Sequence, residues 1–160
     1  MSAAPGSGTA SPHAANNTSH AAVGRIVSFF ENMTPANVAE LRDIYDARAR
    51  FVDPFNDVQG LTDIQQIFAH MFVALDGPRF VVTGRLLQDH QCFLTWEFHF
   101  RFRRFQAQKP QIIHGGTHLV FSDSGLVTLH RDYWDAAQEL YEKLPLVRVL
   151  MRWLRKMVNG

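Results

Sequence analysis

Apolar positions along this chain recur first with the period of a helix and then with the period of a strand. Val23, Ile26, Val27 and Phe30 stand three and four apart, the spacing of one helix face. Thr34-Pro35 offers an N-cap followed by proline at a first helical position. A second helix is therefore predicted over residues 35–48, with Val38, Leu41, Ile44 and Tyr45 on its apolar stripe. Residues 49–53 read as a short extended piece ended by Pro54. Gly60 closes a loop, and a third helix opens at Leu61 or Thr62 with the stripe Ile64, Ile67, Phe68, Met71 and Phe72.

Beyond Gly77-Pro78 the pattern changes to alternation, which predicts four strands at about 79–88, 91–104, 110–121 and 126–134. Asp89-His90 and the run Ser122 to Gly125 are hairpin turns, and residues 106–110 form a polar loop. Consecutive strands with short links imply an antiparallel meander. Helices first and sheet second is the order of an α+β domain.

The ends differ from this body. Residues 1–20 are small and polar, with neither a basic start nor an apolar run, and read as a disordered leader rather than a secretory signal. Residues 145–157 are amphipathic, with Leu146, Leu150, Trp153 and Leu154 on one side and Arg148, Arg152, Arg155 and Lys156 elsewhere. A helix there either covers the sheet or a partner chain, or lies on a membrane surface. A net charge of +1 lacks the basic excess of a nucleic-acid binder. With 46% hydrophobic residues and 13 Phe, the chain can fill one core. Cys92 is the single cysteine, so no internal disulfide forms, and a reducing, cytoplasmic setting is expected.

The chemistry concentrates in the last strand. His130, Asp132 and Trp134 alternate, so a histidine, a carboxylate and an indole share one face. His130 and Asp132 are expected roughly 7 Å apart, sharing a water or substrate rather than bonding directly. Asp53 precedes a proline and is held extended. It is either a base at the mouth of a pocket or a loop residue capping its turn. Thr117 faces inward by alternation and either orients a ligand oxygen or bonds within the protein. His114 and His118 are about 13 Å apart in a strand, too far to share one metal ion. No phosphate-cradling loop or nucleophile elbow appears, so neither metal nor cofactor is expected.

Two segments carry a resemblance. One runs from Ile44-Tyr45-Asp46 to Phe51-Val52-Asp53-Pro54-Phe55, and the other from Gly125 to Asp132-Tyr133-Trp134. Together they resemble the nuclear transport factor 2-like superfamily over residues 21–143, in its ketosteroid-isomerase-like and SnoaL-like branches. The resemblance implies a cone, N-terminal helices packed in a strongly curved antiparallel sheet, and the amphipathic pattern adds a C-terminal helix over residues 144–160. It also implies an enclosed apolar pocket and a homodimer through the outer sheet face.

By the same resemblance, Asp53 matches the isomerase base and Trp134 the aromatic lid. The isomerase oxyanion hole has no counterpart, because Phe29 and Thr117 stand where its tyrosine and protonated aspartate fall. Asp132 matches the water-activating aspartate of limonene epoxide hydrolases and the closing-strand acid of SnoaL-like cyclases. With Phe98, Phe100 and Phe102 inward, Glu97, His99 and Arg101 point outward, and a slip of one residue would reverse this. The implied catalytic set is Asp53, Asp132 and His130, with Phe29, Tyr45, Phe72, Phe98, Phe100, Thr117 and Trp134 around the ligand. The implied activity is cofactor-free acid/base chemistry on a hydrophobic carbonyl compound. The alternative is a binding or dimerising module of the same fold.

Overall fold

A computed structural model of the chain describes residues 12–103 and 109–139. Helix α1 spans Pro12–Glu31, α2 spans Leu61–Ala74 and a short α3 spans Ala136–Glu139. Strands β1 (Tyr45–Val52), β2 (Asp57–Gln59), β3 (Leu75–Gln88), β4 (Gln91–Phe102), β5 (Gln111–Phe121) and β6 (Val127–Tyr133) form one sheet in the order β2-β1-β6-β5-β4-β3. The sheet is curved and unclosed, with α1 and α2 packed against it, as in the α+β cone.

The strands from β3 to β6 pair antiparallel in chain order, as the alternation predicts. The pairing of β1 with β6 is parallel, so the sheet is mixed. The helix expected over residues 35–48 is instead a 3-10 turn over Val38–Asp43 followed directly by β1. Ala49 and Phe51 are buried while Arg48 and Arg50 are exposed, which is the alternation of a strand. Tertiary pairing with β6 and β2 overrides the helix preference of this Ala- and Arg-rich run.

Two other boundaries move. Helix α1 starts at Pro12, so part of the expected leader is helical. Strand β3 starts at Leu75 and runs through Gly77-Pro78, where a bulge between Asp76 and Arg79 absorbs the proline. The amphipathic run over residues 145–157 lies outside the described residues. None of the described helices is long and apolar enough to cross a membrane.

The core fills the concave side. Ile26 from α1, Leu41, Ile64 from α2 and Leu119 from β5 are almost wholly buried there. In β4, Leu94, Trp96, Phe98 and Phe100 are buried while Phe93, Thr95 and Arg101 are exposed, so the row runs inward without a slip. Glu97, His99 and Arg101 lie on the outer face, where Glu97 bonds His99 at 2.9 Å. Cys92 is buried, and that burial raises its thiol pKa, as expected of a thiol that only packs.

Candidate functional site

The concave side carries two adjoining spaces, each partly open. The larger is an apolar cavity of about 330 Å³, with walls that include Phe51, Phe68, Phe98, Phe100 and Trp134. That volume lies in the ordinary range for a small-molecule site. The smaller is a chamber of about 30 Å³ beneath α1, lined by Phe30, Thr117, Leu119 and His130 among others. It has room for about one or two water molecules. Asp132 and Trp96 line both.

Around Asp132 the polar groups form a chain. Trp96 Nε1–H donates to Thr117 Oγ1 at 2.8 Å, and the Thr117 hydroxyl donates to Asp132 Oδ1. His130 Nε2 is 2.8 Å from the same oxygen, and Tyr45 O–H is 2.6 Å from His130 Nδ1. His130 and Asp132 therefore bond directly, contrary to the expectation of a shared water. Their Cα atoms keep strand spacing, but the imidazole leans along the face and its outer nitrogen closes the gap.

The protonation pattern follows from Tyr45. Burial pushes its hydroxyl well above a phenol's ordinary pKa, and the Asp132 charge adds to the shift. Tyr45 therefore keeps its proton, and among the described residues its hydroxyl has only His130 Nδ1 to donate to. In the neutral ring the remaining proton is on Nε2, which donates to Asp132. His130 is 4% exposed and is packed by the rings of Phe30, Phe51 and Tyr45. Both donors to Asp132 converge on Oδ1. Among the described residues Oδ2 has no hydrogen-bond partner, and the side chain is 15% exposed.

Local sequence makes this geometry possible. Gly115 faces Trp96 across β4 and β5, and a Cβ there would overlap the indole ring. The missing side chain lets the indole lie close to β5, where its N–H reaches Thr117. Inward alternation places Trp96 on this wall beside Phe98, a signal present in the sequence but not used above.

Asp53 also lines the larger cavity, so the two acids share one hollow. Its surroundings differ. Asp53 Oδ1 accepts from the backbone N–H groups of Phe55 and Asn56, each at 2.7 Å. Asn56 Nδ2 bonds both carboxylate oxygens, at 3.0 and 2.9 Å. The carboxylate thus closes its own turn, and beside it Phe55 meets Trp134 edge-on at 5.4 Å.

The expected aromatic wall divides. Phe98, Phe100 and Trp134 line the larger cavity, and Thr117 lines the chamber. Phe29 and Phe72 pack against the core but line neither space. Tyr45 also lines neither; it sits on β1 behind His130 instead of on a helix. Phe80 and Phe51 were not anticipated as wall residues. Among the described residues, no three His, Cys, Asp or Glu side chains are grouped to hold a metal ion.

A curved, unclosed sheet with two helices packed against it, an apolar hollow and acids on its wall is the cone of the nuclear transport factor 2-like superfamily. Within it, the chain belongs to the SnoaL-like domain family, whose model matches residues 26–130, about two thirds of its length. Several solved structures share the fold. A putative SnoaL-like polyketide cyclase from Jannaschia Sp. CCS1 is similar at TM-score 0.67 and 14% identity, covering 82% of this chain and 94% of that one. An LEH-like epoxide hydrolase from M. tuberculosis is similar at TM-score 0.63 and 12% identity, covering 84% and 94%. A ketosteroid isomerase-like protein from Catenulispora acidiphila DSM 44928, in complex with trimethylamine, is similar at TM-score 0.64 and 14% identity, covering 74% and 88%. A comparison with curated proteins finds no match. At these identities the likeness speaks for the fold, and the chemistry must be argued from the site.

Proposed function

We propose that this chain is a cofactor-free acid/base catalyst for an apolar, carbonyl-bearing small molecule of polyketide type, with Asp132 as the proton-accepting group. The observation that carries the reading is the arrangement around Asp132. One oxygen is fixed by Thr117 and His130, and the other is left over beside an apolar cavity of about 330 Å³. Low polarity strengthens a base by removing competing water, and fixed donors hold it in one orientation. His130 and Tyr45 act through Asp132, while Asp53 holds the turn that carries Phe55 to the wall. The neighbours described as a polyketide cyclase and an epoxide hydrolase lend support for acid/base work in this fold.

The same reading includes a homodimer through the outer sheet face. Leu86, Phe93 and Ile112 are exposed apolar residues on that face, and Tyr133 lies beside Phe93.

Proton abstraction is testable without knowing the product. Apolar ketones with acidic C–H bonds, incubated in heavy water, should gain deuterium in the presence of the protein. Asp132→Asn should lower that rate by about 10²- to 10⁴-fold while ligand binding persists. Exchange that is equal in the wild type and the variant would remove Asp132 from the chemistry and leave a binding module.

A further inference from the structure

We propose that the ligand of the larger cavity carries a cationic amine or quaternary ammonium group on an apolar body. The inference names a substrate class for the site just described, and it takes from that reading only Asp132 as the base. It follows from a count of what the cavity wall has left to offer. Trp96 Nε1–H is spent on Thr117, and the Thr117 hydroxyl on Asp132. His130 Nε2–H is spent on Asp132, and Asn56 Nδ2 on Asp53. What remains are two side-chain donors, the Trp134 indole N–H and the His70 ring, one acceptor, Asp132 Oδ2, and the negative charge of two carboxylates on one wall.

Among the described residues no Lys or Arg lines the cavity, and its one imidazole, His70, is an exposed residue of α2. A ligand anion therefore meets two carboxylates and, among the described residues, no Lys or Arg to pair with, which is costly in an apolar site. A cation meets the opposite conditions. It pairs with Asp132 Oδ2, and half of the lining residues are Phe or Trp, whose rings accommodate an ammonium group better than aliphatic walls do.

The charge also completes the proposed reaction. When a carbon-bound proton passes to Asp132 Oδ2, the electron pair stays on the substrate as an enolate. With no Lys or Arg among the described wall residues, the substrate's own ammonium group lies beside that enolate and offsets its charge. The proton later returns from Asp132 to carbon, so no outside reagent is consumed.

The test uses two probes of nearly identical shape, phenyltrimethylammonium and tert-butylbenzene, titrated into the full chain and followed by its tryptophan fluorescence, to which Trp96 and Trp134 on the cavity wall contribute alongside Trp153. The wild-type protein should bind the charged probe on the order of tenfold more tightly than the neutral one. Asp132→Asn should shrink that preference to about threefold or less by removing the pairing charge. The wild-type comparison stands even where the variant folds poorly. Equal or tighter binding of the neutral probe overturns the inference, as does failure of both probes to bind at millimolar concentration. If neutral ketones still exchange deuterium in an Asp132-dependent way, that failure leaves the catalytic reading intact. A cation preference with no exchange on any ketone supports the ligand class and removes the chemistry.

Discussion

Asp132 and Asp53 are the same side chain on the wall of one cavity, yet their surroundings assign them opposite work. Asp132 is on β6, in the floor of the cone, and the Thr117 hydroxyl and the His130 ring fix it there. Its donors crowd onto one oxygen and leave the other uncommitted. Asp53 is in a turn, and Asn56 holds both of its oxygens. The difference teaches that facing a hollow does not make a carboxylate a base. What counts is how many of its lone pairs the protein has already used.

Replacement of each acid is the strongest way to break the comparison. Deuterium exchange should fall by about 10²- to 10⁴-fold in Asp132→Asn. In Asp53→Asn it should change by less than about tenfold, with a stability loss of about 1 kcal/mol from the weakened turn. Equal rate losses in the two variants would mean that the lone-pair argument is wrong.

The next largest effect is expected at the floor. In Gly115→Ala the new methyl meets the rigid Trp96 ring, so the indole or β5 must shift. Such overpacking costs about 1–3 kcal/mol, readable as a lower denaturant midpoint. The Trp96–Thr117 bond should loosen with it, visible as faster exchange of the indole N–H. An unchanged midpoint would show that the floor yields more easily than its packing implies.

Tyr45→Phe sharpens the comparison by isolating the support of Asp132. It leaves His130 Nδ1 buried without a donor, at a cost of about 1–3 kcal/mol. Nitrogen NMR of His130 should show Nδ1 unprotonated and Nε2 protonated in the wild type, and a mixture of tautomers in the variant. Tyr45 also makes the protein sensitive to alkali. Its folded pKa is raised, so its stabilising contribution is whole below the unfolded tyrosine value of about 10 and is lost as pH rises toward the folded one. Unfolding measured above that pH should lose this dependence in Tyr45→Phe.

The smallest effect belongs to the outer rim. Arg50 holds Asp57 through two hydrogen bonds, at 2.8 and 2.7 Å, and these bonds keep the Asp57 carboxyl below its usual range. That contribution is present above the ordinary aspartate pKa and fades as pH falls through the lowered one. Because the pair is exposed, Arg50→Ala should leave deuterium exchange unchanged and shift only acid stability, by an amount that salt reduces. A marked loss of exchange would tie the rim to the floor in a way the hydrogen bonds do not show.

Much of this architecture was legible along the chain because its signals are local. The stripe from Ile64 to Phe72 predicts α2, and alternation from Phe98 to Phe102 predicts a wall of the cavity. The pairing of His130 with Asp132 on one face follows from strand periodicity. Strand β1 carries a helical pattern locally, because Tyr45 to Arg50 becomes a strand only by pairing with β6, far along the chain. The direct His130–Asp132 bond has no signal in the sequence, because Cα spacing says nothing about how far a side chain leans.

The amino-acid order alone determined where helices and strands alternate, which rows face inward and which residue types carry chemistry, because each depends on neighbours a few positions apart. Only the tertiary structure decided that Tyr45 reaches His130 across 85 residues of chain, that Gly115 makes space for Trp96, and that Asp53 spends its carboxylate on its own turn. Those outcomes depend on hydrogen bonds and close packing between segments distant in the chain, and such bonds form only once the sheet has curved and brought the segments together.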